Sequence, residues 1–131
     1  MDLGLEGVAE RFARAAATGG ELTMYGEGEQ RLDLVHVDDV VDGIAAALLA
    51  PRLPPALNLG GGAPVSIAEL AAHAARAGRQ PIIGKKPPPP GKIWPDRSLA
   101  IELAAERLGW RPAVPVARGM AELVAMMSPP E

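Results

Sequence analysis

The side chains most suited to hold a metal ion are His36, Asp38 and Asp39, which lie together in one short segment. An imidazole and two carboxylates are ligand types that divalent metals accept. However, the two aspartates are adjacent and stand where a helix is predicted to start, and a short side-chain acceptor there satisfies free backbone N–H groups. Capping explains one aspartate fully, so we predict no metal site.

A glycine run at residues 60–62 is the second candidate, because glycines between a strand and a helix can cradle a dinucleotide diphosphate. Here Pro64 follows, the glycine spacing is wrong, and no acidic residue follows at ribose distance in a second strand. We predict an ordinary tight turn and no cofactor bound by this chain alone. No serine stands in a G-x-S-x-G turn, so hydrolase chemistry has no support and no catalytic residue is assigned.

Composition limits the classes of function. The chain has 131 residues, a formal net charge of -3 and no cysteine. A negative balance does not attract a phosphate polymer, so we predict no nucleic-acid binding. The lack of cysteine excludes disulfides and thiolate metal sites. The longest apolar run, residues 44–50, is too short to cross a bilayer, and the acidic N-terminus does not look like a signal peptide. We therefore expect a cytoplasmic protein without membrane contact.

Apolar periodicity and turn residues predict that helices alternate with short strands, which is typical of α/β packing. Five helices are predicted. The first has Val8, Phe12, Ala15 and Ala16 on one face and is stopped by Gly19 and Gly20; the second is capped by Asp38 or Asp39, with Val41, Ile44, Ala45 and Leu48 as its buried stripe. The third starts at Ser66 with a Ser66/Glu69 capping box, the fourth is capped by Asp96 or Ser98 and runs to Leu108, and the last covers about 116–127. Extended segments are predicted at 21–25, 31–36, 56–59 and 81–84, with a proline-rich loop at 86–91.

Several motifs carry a resemblance to a known family. In chain order they are YGEGEQ (25–30), DLVHVDDVV (33–41), LNLGGG (57–62), SIAEL (66–70), Pro90-Gly91 and RLGWRP (107–112). They resemble the C-terminal, substrate-binding half of extended short-chain dehydrogenase/reductases, the NAD-dependent nucleotide-sugar epimerases and dehydratases such as UDP-glucose 4-epimerase. The resemblance covers nearly the whole chain. It implies an α/β fold that is an incomplete Rossmann type, with few short strands and four to five helices in one domain over residues 1–131.

The parts of the family that perform hydride chemistry have no counterpart in the sequence. The family binds NAD through a glycine-rich turn in an N-terminal half, and its catalytic tyrosine and lysine lie four residues apart on a helix. No such turn occurs here, and Tyr25, the only tyrosine, has Glu29 at that offset. The resemblance therefore implies a truncated protein without the dinucleotide-binding half, not catalytic alone, and leaves open whether it acts as an enzyme.

By position, the resemblance places Leu22, Met24 and Tyr25 along the nucleotide base. The alternative is that they are simply strand and core residues. The family holds the diphosphate with an arginine where this chain has Leu32, and Arg31 stands one place earlier. A one-residue shift in a strand turns a side chain to the opposite face, so Arg31 is a candidate only if a bulge corrects the register.

A second arginine of the family follows the Pro-Gly loop, and Arg97 is the candidate for it, with Lys92 a weaker one. The alternative is a solvated arginine beside Asp96.

Two functions follow as hypotheses. One is a nucleotide-sugar-binding portion of an epimerase or dehydratase. The other is a non-enzymatic remnant that serves as an assembly module.

Partners are predicted on the same basis. Without the Rossmann half, the apolar faces of residues 8–16 and 41–48 would be uncovered. We expect a second copy or a separate Rossmann-half partner to cover them, so a homo-oligomer is predicted.

Overall fold

The computed structural model describes residues 7–80, 82–92, 94 and 96–130. In these ranges the helices are α1 (Val8–Thr18), α2 (Val37–Leu49), α3 (Ile67–Ala77), α4 (Glu102–Leu108) and α5 (Val116–Met127). The strands are β1 (Glu21–Tyr25), β2 (Arg31–Leu32), β3 (Val65–Ser66) and β4 (Ile82–Lys86). The predicted α/β class, with few short strands and five helices, is confirmed. None of the helices described is long and apolar enough to cross a membrane.

The larger core lies where α1, α3 and α5 pack beside the parallel pair β1–β4. Strand β1 alternates, so Leu22 and Met24 are buried against the helices while its other side chains are exposed. Leu70 of α3 and Val124 of α5 are fully buried. Alanines supply much of the helix contact, which lets the helices approach closely: Ala13, Ala16, Ala71 and Ala74 are all at most 3% exposed.

A smaller core joins α2 to the C-terminal part of the chain. Ile101, Ala104 and Trp110 are buried together there. The indole Nε1 of Trp110 donates to the carbonyl of Asp39 at 2.8 Å, and the backbone N–H of Val114 donates to Asp39 Oδ2 at 2.9 Å. Asp39 is only 3% exposed, and the bond from Val114 offsets part of the cost of removing its carboxylate from water, while the bond from Trp110 satisfies its backbone carbonyl.

The local signals at three helix ends are confirmed. Helix α3 begins with the predicted capping box: Ser66 Oγ accepts from the Glu69 N–H at 3.1 Å, and Glu69 Oε2 accepts from the Ser66 N–H at 2.7 Å. The hydrogen bond from the Ser66 backbone, with that of its side chain, lowers the pKa of Glu69. Helices α1 and α4 end at left-handed glycines, Gly19 and Gly109.

Two predicted helix starts are wrong. Helix α2 is capped by His36, whose Nδ1 accepts from the Asp38 N–H at 3.1 Å, rather than by Asp38 or Asp39. Asp39 instead turns inward to Val114. Helix α4 begins at Glu102 after Ile101, and the residues around Asp96 and Ser98 are not helical. The apolar side chain of Ile101 is buried in the smaller core, so packing fixes this start rather than a cap.

The predicted strands are longer in two places than those that form. Of residues 31–36, only Arg31 and Leu32 pair, with Ser66 and Val65 of β3. Residues 56–59 are extended in sequence pattern but pair with no strand in the described chain, so no ladder forms. Strand β4 runs on to Lys86, beyond the predicted end at Gly84, because it pairs with β1 over all five residues. Pro81, its predicted start, lies outside the described residues.

The two helix faces expected to be uncovered differ. On α1 the face is covered, with Phe12 3% exposed, because α3 and α5 pack on it; that prediction is wrong for α1. On α2 the expected exposure is confirmed: Val41 is 56%, Ile44 51% and Leu48 81% accessible. Nothing within the described residues covers it.

Candidate functional site

A cavity of about 300 Å³ opens beside the end of β1. It is bounded by α1, β1, β2, the start of α3 and the segment that follows the proline-rich loop. Its lining residues are Val8, Arg11, Phe12, Thr23, Met24, Tyr25, Gln30, Leu32, Ile67, Lys92 and Trp94. Cavities of a few hundred Å³ with apolar walls and a few polar groups are typical of small-molecule sites.

Two aromatic rings stand at one end of this cavity. The ring centroids of Tyr25 and Trp94 are 5.7 Å apart, with their planes inclined by 35°. Tyr25 is 44% exposed, so one part of its ring is open to a ligand. Lys92 Nζ lies 6.0 Å from the centroid of Trp94, within cation–π range. This end is suited to stack a planar heteroaromatic group.

The charged side chains in the lining are both cationic. Arg11 comes from α1 and Lys92 from the segment after β4, and no carboxylate belongs to the lining residues that the structure describes. Glu27, the nearest acid in sequence to Tyr25, is exposed and pairs with Lys85 of β4. Aromatic faces with two cations and no acid favour a ligand that joins a ring to an anion.

Two of the three site residues predicted on β1 line the cavity, one from each face of the strand. Met24 and Tyr25 line the cavity, whereas the side chain of Leu22, 3% exposed, belongs to the larger core and lines a different surface. A contact of Leu22 with a ligand would therefore use its backbone.

Neither predicted arginine lies in the cavity lining. Arg31 turns away and donates from Nη2 to the carbonyl of Pro64 at 2.8 Å, while Leu32 forms part of the wall. This is the opposite-face arrangement that the one-residue shift predicted. Arg97 is exposed and is not among the residues that line this cavity. The sequence reasoning missed Arg11 and gave Trp94 no role. Apart from the two side-chain types, no sequence signal places them beside Tyr25.

Comparison with known proteins gives the family. A model described as the NAD dependent epimerase/dehydratase family matches residues 2–60. The UDP-glucose 4-epimerase of Mycolicibacterium smegmatis is 34% identical over 126 residues, which cover 92% of this chain and 39% of that protein. The UDP-glucose 4-epimerase of Thermotoga maritima, solved with UDP-glucose, matches with a TM-score of 0.75 at 29% identity, over 91% of this chain and 38% of its own.

The chain belongs to the NAD-dependent epimerase/dehydratase family. The resemblance inferred from the motifs is thereby confirmed. A third match, the UDP-glucose 4-epimerase of Thermus thermophilus in complex with NAD, has a TM-score of 0.76 at 28% identity, over 97% of this chain and 42% of that one. The chain thus spans about two fifths of the length of these family members.

The glycine turn at residues 60–62 packs closely against residues 33 and 34. The N–H of Gly61 donates to Asp33 Oδ1 at 2.6 Å, so this donor is not directed at a phosphate. A methyl group on Gly61 would collide with the Leu34 carbonyl, and one on Gly60 would lie 2.9 Å from Asp33 Oδ2. These glycines admit the close approach of residues 33 and 34 rather than a diphosphate.

The segment from His36 to Asp39, which contains the metal-ligand side-chain types, is engaged in structural contacts. His36 Nδ1 accepts from the Asp38 N–H, so its Nε2 carries the proton that Glu122 Oε2 accepts at 2.7 Å. This hydrogen bond, with one from Arg118, lowers the pKa of Glu122. Within the described ranges, no group of three histidine, aspartate or glutamate side chains is arranged to hold a metal ion.

Proposed function

We propose that this chain is the nucleotide-sugar-binding portion of a NAD-dependent epimerase or dehydratase. The observation that carries the proposal is the cavity beside β1, where the Tyr25–Trp94 ring pair and two cations border one space without an acidic side chain among its described lining residues. A nucleoside diphosphate sugar has the matching parts: a base that stacks and a diphosphate that needs positive charge. UDP-glucose in the Thermotoga relative is a ligand of this class.

In this proposal the rings of Tyr25 and Trp94 hold the base, and the backbone of β1 at Leu22 and Met24 borders it. The parent reaction of the family is transient oxidation of a sugar hydroxyl by NAD, and we propose that this chain orients the sugar nucleotide without performing that step by itself. Tyr25 is the only tyrosine, and the residue four places on is Glu29. The cofactor would come from another part of the protein or from a partner, and we expect the protein to work in the cytoplasm.

The test is a thermal unfolding series with UDP, dTDP and their glucose conjugates. A ligand at a hundredfold excess over its Kd adds about 2.7 kcal/mol to the free energy of unfolding. We expect a shift with at least one of these nucleotides, and a strongly reduced shift for Trp94→Ala. The matched control is Leu99→Ala, an exposed apolar residue outside the cavity. No shift with any of the four ligands would contradict the proposal.

A second function, assembly, is favoured by the surface around α2. This α2 surface comprises Val41, Ile44, Leu48, Leu53 and Leu57. Beside it, residues 56–59 make no backbone hydrogen bond with any described residue, so their backbone groups are open to a partner. An exposed apolar patch of this kind is a typical association surface.

We propose that in this chain alone a second copy covers the α2 surface, since an apolar patch can be buried against the same patch of a second copy. Light scattering should then report a dimer or larger oligomer, and the double variant Ile44→Lys, Leu48→Lys should be monomeric. A monomeric parent chain would contradict this. Displacement of the second copy by an added Rossmann-half polypeptide would identify that polypeptide as the preferred occupant.

A further inference from the structure

We infer that Arg11 is the phosphate-binding arginine of the cavity beside β1, a task for which neither predicted arginine is placed. The inference rests on the proposed nucleotide site and deepens it. It assigns the anion contact to helix α1, a different element from the one that the sequence motif suggested.

Arg31, the arginine on β2, does not face the cavity. Arg31 directs its guanidinium to the carbonyl of Pro64 at 2.8 Å and is absent from the cavity lining. Its neighbour Leu32 is the β2 side chain that reaches the cavity, and it carries no charge. Strand alternation prevents both side chains from facing the same space. Strand β2 therefore contributes only an apolar wall.

Arg11, in contrast, is open to an anionic ligand. Its side chain is exposed and lines the cavity, and it makes no side-chain hydrogen bond or ion pair with the described chain. Arg14, one turn further along the same helix, is engaged instead: its Nη2 lies 3.2 Å from Glu10 Oε1. A guanidinium that faces a cavity without a carboxylate partner is suited to two parallel hydrogen bonds with phosphate oxygens.

The two cations of the cavity lining, Arg11 and Lys92, have different neighbours. Lys92 stands over the ring of Trp94, so it belongs to the aromatic end of the cavity. Arg11 comes from α1, beside the apolar side chains of Val8 and Phe12. Because Arg11 and the Tyr25–Trp94 pair border the same cavity, a ligand whose base stacks on the rings has its charged group in the space that Arg11 lines. The chemical class that fits is a nucleoside diphosphate.

The experiment compares UDP with uridine as calorimetric probes of the full chain. Arg11→Gln should lower the affinity for UDP about ten- to a hundredfold, the size of one charge-assisted contact, and leave that for uridine unchanged. Arg11→Lys should recover part of the loss because the charge is kept. Arg14→Gln, on the same helix but outside the cavity lining, is the control and should bind both probes as the parent chain does.

The outcomes separate this inference from the proposal beneath it. A parent chain that binds UDP, with Arg11→Gln binding it equally well, overturns the role of Arg11 and leaves the nucleotide site standing. That role is also overturned if Arg31→Gln alone weakens UDP binding, or if Arg11→Gln weakens the binding of uridine and UDP alike. A parent chain that binds neither probe overturns the nucleotide site itself, and the inference with it.

Discussion

The region around β1 and the region around α2 differ in how far their apolar side chains are buried. In the first, α1, α3 and α5 pack together beside one face of β1, and side chains such as Phe12, Leu70 and Val124 are buried within the chain. In the second, α2 turns Val41, Ile44 and Leu48 outward, beside a segment that has no strand partner in the described residues. The first region buries its apolar side chains within the chain, whereas the second leaves an apolar surface that no described residue covers.

The largest expected effect sharpens this contrast with one substitution in each region. Leu70→Ala should lower the free energy of unfolding by about 2–5 kcal/mol, because Leu70 is fully buried and its removal leaves a cavity. Leu48→Ala, also on a helix but 81% exposed, should change it by less than about 0.5 kcal/mol in the monomer. Urea titration under monomeric conditions measures both. Similar losses for the two variants would break the comparison.

The next effect concerns the turn at residues 60–62. Gly61→Ala should cost about 1–3 kcal/mol of stability, since the new methyl group meets the fixed backbone carbonyl of Leu34. Gly7→Ala is the matched control, because a methyl group there meets nothing within 4 Å. Thermal unfolding of the two variants measures the difference in their stability. Equal stability of Gly61→Ala and Gly7→Ala would mean that the turn is not packed as described.

A smaller effect is expected at the start of α3. Ser66→Ala removes the acceptor for the Glu69 N–H and should cost about 1 kcal/mol. Because the pKa of Glu69 is lowered in the folded protein, its contribution is present at neutral pH and is lost as the pH falls through that lowered value. The stability gap between parent and variant, measured by urea titration, should therefore narrow in acid. A gap that widens in acid would contradict the capping box.

The smallest effect lies at the link between α2 and α5. Hydrogen bonds from His36 and then Arg118 lower the pKa of Glu122, so ionised Glu122 stabilises the fold above its unfolded pKa and stops doing so as the pH falls through the folded one. Glu122→Gln should accordingly flatten the acid side of the profile of stability against pH, measured by urea titration. Glu29→Gln, an exposed loop residue, serves as the control and should leave that profile unchanged. If the acid side of the profile is as steep for Glu122→Gln as for the parent chain, the stabilising contact between His36 and Glu122 is contradicted.

The sequence predicted most where structure depends on local signals. The capping box at Ser66, the left-handed Gly19 and Gly109, strand β1 and helix α5 all follow from nearby residues. The prediction failed where distant residues decide. His36 caps α2 by accepting from the Asp38 N–H, while the carboxylate of Asp39 accepts from Val114, which lies far along the chain.

Only part of the candidate site was predicted, because distant residues decide the rest of it. Tyr25 and Met24 were named from the position of β1, and the turned-away Arg31 followed from strand alternation. Arg11 and Trp94 were assigned no role, because only the fold brings α1 and the segment after the proline-rich loop to the same space. A cavity formed by separate segments of the chain leaves no spacing rule in the sequence.

The central claim, a nucleotide site at the Tyr25–Trp94 pair, is tested most directly by the indole N–H resonances during a UDP titration. The chain has two tryptophans. Trp94 lines the cavity, whereas Trp110 is 5% exposed and its N–H is bonded to the Asp39 carbonyl. The account predicts a saturable shift of the Trp94 indole signal while that of Trp110 stays in place. A Trp94 signal that is unmoved at saturating UDP, or equal movement of both signals, would contradict it.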